Sequence, residues 1–533
     1  MRRFHPAAPA QLALVVLLLF GCATTSMAGK PKAEDIMQEA ILADQNGDYD
    51  KAIALLGQVR TMKAKDKVLS EANYRLGLFY LDRGKSEEAI NSFKIARELK
   101  YPDAEKQLGI AYHKQGNLDE AEALFKELLA AAPDSTDLMY RLGKVYLDKG
   151  MLNDAGELFR QVLQIDPNNG AAHNGLANLF YRQSKLNEAM AEYRQALQLD
   201  PNLSEANLDL GNAYFARGSI NQSKGEISQS KGDINQAKAD FEAAKADFIQ
   251  ATALFKKYTQ LAPKDAAGHF MYANALQAQR DESLLPEAIT AAIGSLNLEK
   301  DSEGAWYLLA KLYYDSKQYG NSVAAFRRSL KISPMDPKRW KDAGKAYVEY
   351  GKEFLEAKDT LQARAQMDSA IVCYKEFCTM DTAKAGQVLY DMGTAYYLVT
   401  KYDDAILWYR KRIDSNPKTA YGAYINMGYS LSLKAQGIKI SSPAEKTAVK
   451  ALYLEAINSF QEAKKLKPGD VRPMEALAQH YYTLLKNFGD KLSKQKCITE
   501  IKAILKIDPK NQVADEMQYL PGINLKRKIE VWD

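Results

Sequence analysis

Cysteine, histidine and charge of one sign are all scarce in this chain of 533 residues, and each scarcity removes a class of function. After Cys22 only Cys373, Cys378 and Cys497 remain. Cys373 and Cys378 are five apart, which on a helix points them to different faces. No disulfide framework or zinc spacing can be drawn from them, and they read as small buried hydrophobes. The five histidines, His5, His113, His173, His269 and His480, stand far apart, none with a Cys or His partner at ligand spacing. No nucleophile elbow, phosphate loop or dinucleotide fingerprint occurs, so neither a catalytic role nor a cofactor is expected. Carboxylate pairs such as Glu87 and Glu88 fall where helices should begin, where the helix dipole accounts for them. Lys and Arg number 72 against 67 Asp and Glu, a balance that excludes a nucleic-acid binder. Long apolar runs are also missing. The one candidate, Leu12 to Phe20, is too short to span a bilayer.

That run follows Arg2 and Arg3, the layout of a secretory signal, and closes on "LFGC", Leu19 to Cys22. The tetrapeptide resembles the bacterial lipobox, in which a small residue precedes a cysteine that receives lipid and becomes the new N-terminus. Phe20 departs from the small or polar residue usual there. The resemblance implies a signal peptide over 1–21, lipidation of Cys22 and a tether over 22–33. Ala23, rather than Asp, after the cysteine implies delivery to the outer membrane, facing the periplasm. The alternative is ordinary cleavage after Ala28, where "SMA" satisfies the small-x-small rule and leaves a secreted or periplasmic soluble protein.

What the chain does contain is repetition. "YRLGLFYLDRGKSEEAINSF" (74–93) returns as "YRLGKVYLDKGMLNDAGELF" (140–159) and "WYLLAKLYYDSKQYGNSVAAF" (306–326). A first small site is filled by Ala40, Gly77, Gly109, Gly143, Ala177, Gly211, Ala273, Ala310, Gly344, Gly393, Gly428 and Ala478. A second follows, ordinarily twelve residues later: Ala52, Ala89, Ala121, Ala155, Ala189, Ala251, Ala288, Ser322, Ala370, Ala405, Ala456 and Cys497. Four residues on comes a large apolar side chain. Small residues let two helices of a hairpin approach closely while the large neighbours fill the grooves. Eight prolines, at 133, 167, 201, 263, 334, 417, 468 and 509, fall twelve residues after the second site and should end the second helix.

This grammar resembles the tetratricopeptide repeat family, whose unit is a helix–turn–helix of 34 residues. The resemblance covers 34–510 and implies an all-α, right-handed α-solenoid of about twelve repeats. Residues 511–533 would be a short capping helix, over 511–519, and a tail. It also implies that first helices line a groove for a protein or peptide partner. The groove positions lie three before, and one and four after, the first small site. The candidates there are Asn174, Asn178, Tyr181, Asn212, Phe215, Phe270, Asn274, Tyr307, Lys311, Tyr314, Lys341 and Lys345. Asn178, Asn212 and Asn274 recur at one position, and a row of carboxamides can pair with the backbone of an extended peptide whatever its sequence. Lys311, Lys338, Lys341 and Lys345 read as a basic cluster for an anionic segment. The interlocked set of two lysines, two asparagines and an arginine that clamps chaperone tails in some family members is incomplete here.

Several hairpins should be extended, over 211–262, 344–380, 428–467 and 478–508, because their two small sites lie more than twelve apart. In "GSINQSKGEISQSKGDINQAK" (218–238) the turn signature Gly-x-Ile occurs three times at heptad spacing. Placing the turn at Gly232 adds 14 residues to each helix, an arm of roughly 21 Å at 1.5 Å per residue. It puts Gly218 and Gly225 inside a helix at about 1 kcal/mol each. The isoleucines then read as copies of a packing seam. These readings converge on a non-catalytic scaffold, lipid-anchored at the envelope, that supports assembly of an envelope complex. The alternatives are a structural or self-associating protein using its arms, and an accessory subunit of an envelope enzyme or secretion system.

Overall fold

The computed structural model describes residues 31–523, so Cys22, the signal segment and the tail from 524 lie outside the described residues. The chain divides into two compact units, Met1–Leu261 and Ala262–Asp533. The first contains α1 (Ala33–Gln45), α2 (Tyr49–Thr61), α3 (Asp66–Asp82), α4 (Ser86–Glu98), α5 (Ala104–Gln115), α6 (Leu118–Ala131), α7 (Thr136–Asp148), α8 (Leu152–Ile165), α9 (Gly170–Arg182), α10 (Leu186–Leu199), α11 (Ser204–Ser230) and α12 (Ile234–Leu261). The second contains α13 (Ala266–Ala278), α14 (Leu285–Leu298), α15 (Glu303–Asp315), α16 (Tyr319–Ile332), α17 (Pro337–Glu356), α18 (Thr360–Met380), α19 (Leu389–Leu398), α20 (Tyr402–Ser415), α21 (Tyr421–Gly437), α22 (Pro443–Leu466), α23 (Val471–Phe488), α24 (Lys491–Ile507) and the short α25 (Gln512–Met517). Consecutive helices pair as hairpins, six in each unit among the described residues, and within each unit each hairpin packs on the next. No strand occurs among the described residues, and no helix there is long and apolar enough to cross a membrane.

Why these residues make hairpins is visible at the small sites. All twelve second-site residues have 0% exposure, including Ser322 and Cys497 where alanine usually stands. Four residues on, Phe93, Phe125, Phe159, Tyr193, Phe255, Phe326, Tyr374, Tyr409 and Phe460 are the largest fully buried side chains. Where the first small site is glycine, the ring lies against it. A Cβ added to Gly77 would stand 2.5 Å from Phe93, and one on Gly428 would stand 2.6 Å from Phe460. The glycine makes room for the ring, and the ring fills the gap between helices. Each of the eight prolines follows the last residue of a second helix by two, as at Ala131 and Pro133 or Leu199 and Pro201. Proline bars its predecessor from the helical region, so the chain leaves the axis there.

The long hairpins follow from local chemistry. Gly232 adopts φ +83° and forms the turn between α11 and α12. Asp359 accepts from the Gln362 N–H at 3.0 Å and starts α18, after Lys358 turns at φ +61°. Ser442 caps α22 through the Glu445 N–H at 3.2 Å, and Asn511 caps α25.

One expectation is corrected. The isoleucines of the arm are not its seam: Ile220 and Ile227 are 50% and 54% exposed. The seam is built instead from Gly211, Gly218 and Gly225 on α11, which meet Phe255, Phe248 and Phe241 on α12. In Gly-x-Ile the isoleucine lies two residues on, about 200° around the helix. Once glycine faces the partner helix, isoleucine must face away from it.

Candidate functional site

The first-helix positions are best described unit by unit. In the first unit Asn174 is buried and donates through Nδ2 to Asp209 at 3.3 Å, while its Oδ1 is buried without a partner. Asn178 is half-buried and committed at both ends of its carboxamide. Nδ2 donates to Asp209 at 3.0 Å, and Oδ1 accepts from the Tyr193 hydroxyl. Asp209 was not singled out by sequence reasoning, yet it organises this region. Burial pushes its pKa up, while the two asparagine donors pull it down. Beside it Glu205 takes Lys144 at 3.0 Å and the Tyr140 hydroxyl at 3.4 Å. Asn212, one turn further along α11, is half-buried, and its carboxamide makes no side-chain hydrogen bond among the described residues. Phe215 packs against Phe248 with ring centres 5.3 Å apart, and Tyr181 is exposed.

In the second unit Phe270 is half-buried and lies over Gly304. Asn274, four residues on and so on the same face, is half-buried and likewise makes no side-chain hydrogen bond among the described residues. Tyr307 donates to Asp342, and three cations surround its ring: Lys311 at 5.9 Å, Lys338 at 5.8 Å and the Arg339 guanidinium at 5.6 Å. Arg339 is neutralised by Glu303 at 3.3 Å and Asp336 at 3.1 Å. Lys311 donates to Gln277 Oε1 at 3.4 Å, and burial, then the charge of Lys338, lowers its pKa. Tyr314 stacks edge-on with Tyr319, and burial followed by Glu349 pushes its hydroxyl up to about 12.

The basic cluster divides. Lys311 and Lys338 share Tyr307, whereas Lys341 donates to Gln387 at 3.0 Å and lies over Phe377. Exposed Lys345 exerts its charge on Asp391, whose pKa burial raises. Among the described residues no group of three or more His, Cys, Asp or Glu side chains is arranged to hold a metal ion.

A recurrent clasp was also missed. The residue two before the first small site reaches back to the groove residue three before that site in the preceding hairpin. Asp209 does so to Asn174, Asp342 to Tyr307, and Asn426 to Tyr390 at 3.0 Å. The signal was present as polar residues about one repeat apart, 35, 35 and 36 positions. A second recurrent bond runs from the first helix to the carbonyl six residues earlier. Trp306 donates to Lys300 and Trp340 to Pro334, at 2.8 and 2.7 Å, and His269 stands 3.1 Å from the Pro263 carbonyl.

The geometry defines a helical-repeat protein whose hairpins stack through small-residue contacts. Family models bear this out. Tetratricopeptide repeat models match residues 37–105, 112–179, 146–192 and 303–335, and a TPR repeat model matches 177–218. The chain therefore carries tetratricopeptide repeats and is an all-α solenoid, a fold of protein-interaction scaffolds. No curated protein matches the sequence. Among solved structures it is similar to YrrB, described as a TPR protein with an unusual peptide-binding site. Identity is 16%, over 43% of this chain and 98% of that one, with TM-score 0.31. It is also similar to a thermophilic TPR protein of Thermus thermophilus, at 21% identity over 40% and 98% of the two chains, TM-score 0.28. A third is the C-terminal part of a TPR repeat-containing protein from Cytophaga hutchinsonii, at 16% over 50% and 98%, TM-score 0.31.

Proposed function

We propose that this protein is a non-catalytic scaffold that grips extended protein or peptide segments along its first-helix face. One observation carries the reading: each unit presents an uncommitted carboxamide one turn from a half-buried aromatic ring on the same helix face. In the first unit these are Asn212 and Phe215, in the second Asn274 and Phe270. A carboxamide offers a donor and an acceptor to peptide backbone, and the ring offers an apolar floor for a side chain. Lys311 and Lys338 beside Tyr307 add positive charge suited to an acidic residue of the bound segment.

In this reading Cys22 carries lipid, and the tether to about Lys32 holds the solenoid within roughly 35 Å of the outer membrane, facing the periplasm. "LFGC" supports the anchor, and its role there is assembly of an envelope complex. Asn212→Ala combined with Asn274→Ala should reduce partner capture in in-cell crosslinking while leaving the thermal melt unchanged. Full capture by this variant overturns the groove reading. Cys22→Ser should abolish labelling by a clickable fatty acid, and retained labelling overturns the anchor.

A further inference from the structure

The arm of α11 and α12 extends past the helices of the preceding hairpin. The lower part of α11 lies against the preceding hairpin: Ala206 and Ala213 have 0% exposure, and Asp209 meets Asn174 and Asn178 of α9. This face repeats by heptads, and its next two members are Ile220 and Ile227. Ile227 stands 18 residues, five whole turns, beyond Asp209 and therefore points the same way. The helix α9 has 13 residues, so α11 outruns it by 14, and the same face continues uncovered by the described residues. Both isoleucines are half exposed.

The charges beside the stripe indicate what fits. Arg217, Lys224 and Lys231 form one column at heptad spacing along the edge of the isoleucine face. Arg217 is paired with the buried Asp247 at 2.6 Å. Lys224 and Lys231 form no ion pair among the described residues. In coiled-coil packing, residues flanking the apolar seam choose the partner by charge. A second copy is a poor match for this charge pattern. Antiparallel contact between two copies sets Lys224 beside the partner copy's Lys231, and parallel contact offers each pair of lysines a single carboxylate, Glu226, which already accepts from Gln222 at 3.3 Å.

We propose that the projecting face of α11 docks an amphipathic α-helix of a partner protein, with apolar residues at heptad spacing and carboxylates along one flank. The incoming helix stacks on the end of the α9–α10 hairpin and prolongs the contact that this hairpin makes lower down. Ile220 and Ile227 enter its apolar seam, and Lys224 and Lys231 meet its carboxylates. The site is independent of the groove, because neither isoleucine belongs to the first-helix positions described above.

The probe is a labelled synthetic helix of three leucine heptads with glutamate at the flanking positions, titrated with the full chain by fluorescence anisotropy. A twin peptide carrying lysine at those positions is the control. The glutamate peptide should bind at least tenfold tighter than its twin. Ile220→Ser with Ile227→Ser should weaken it tenfold or more, with the glycine–phenylalanine seam untouched. Lys224→Glu with Lys231→Glu should invert the preference, a gain of binding that misfolding cannot produce. Asn212→Ala with Asn274→Ala should change nothing, which separates this site from the groove. The proposal is overturned by equal binding of the two peptides or by full binding to the serine variant. It also fails if binding is lost in the asparagine variant, or if light scattering shows a dimer that the serine pair dissociates.

Discussion

Gly218 of α11 lies directly under the Phe248 ring of α12, so close that a Cβ on the glycine would stand 2.8 Å from Cε1 and 3.2 Å from the Ala244 carbonyl. Phe248 is 2% exposed and has nowhere to move. Gly218→Ala gains about 1 kcal/mol of helix propensity but forces overpacking that costs typically about 1–3 kcal/mol. Amides of α11 and α12 beyond residue 218 should therefore exchange several-fold faster. At Gly225 the neighbour is the half-buried Phe241, whose ring can swing outward, so Gly225→Ala should leave exchange nearly unchanged or slower.

Asn178 and Asn212 occupy equivalent positions yet differ in what their loss should do. Asn178→Ala removes a donor from the half-buried Asp209 carboxylate and the acceptor of Tyr193, a loss on the order of 1–3 kcal/mol. Asn212→Ala removes no such bond. Thermal melts of the two single variants should separate them, the first lowered and the second unchanged.

Asp209 also predicts a pH effect. Its folded pKa lies above the ordinary carboxylate value because burial dominates, so the folded state holds the proton more tightly than the unfolded chain. Stability from this group is greatest below the ordinary value of about 3.9 and falls as pH rises through the folded value. Asp209→Asn keeps an acceptor for the two asparagines without the buried charge. Its melting temperature at pH 7 should equal or exceed that of the parent, with this fall removed.

His480 works in the opposite direction. It is buried among Tyr453, Phe460 and Ser432, with Nδ1 donating to the Ala476 carbonyl at 2.6 Å and Nε2 against the Ser432 hydroxyl. Burial lowers its pKa. The unfolded chain therefore takes the proton first, and stability present above about pH 6.5 is lost as pH falls towards the folded value. Hydrogen exchange over α21 to α23 should accelerate between pH 7 and pH 5. His480→Gln should remove most of that dependence.

Tyr307→Phe breaks the clasp to Asp342 and leaves that carboxylate short of a donor. A loss on the order of 1–3 kcal/mol follows. It should appear as faster exchange in α15 and α17 with little change in α13.

The hairpins, their number and their ends could be read directly from residue order. Small sites, the large residue four on and the prolines act within one hairpin, where contact follows from a fixed spacing along the helix. The turn of the arm was legible for the same reason, since a glycine one heptad away preserves the seam. Sequence alone did not decide which residue of each Gly-x-Ile faced that seam, because either glycine or isoleucine keeps the heptad. Only packing against Phe241 and Phe248 selected glycine and turned the isoleucines outward. Nor could residue order show which carboxamides were free. Asn178 and Asn212 are the same residue at the same repeat position, and only Asp209 and Tyr193, brought up by neighbouring helices, commit one and leave the other available. Sequence determines what repeats within a hairpin, through local spacing. Tertiary structure decides how each copy is used, because hydrogen-bond partners and burial depend on which chemically different neighbour arrives from the next hairpin.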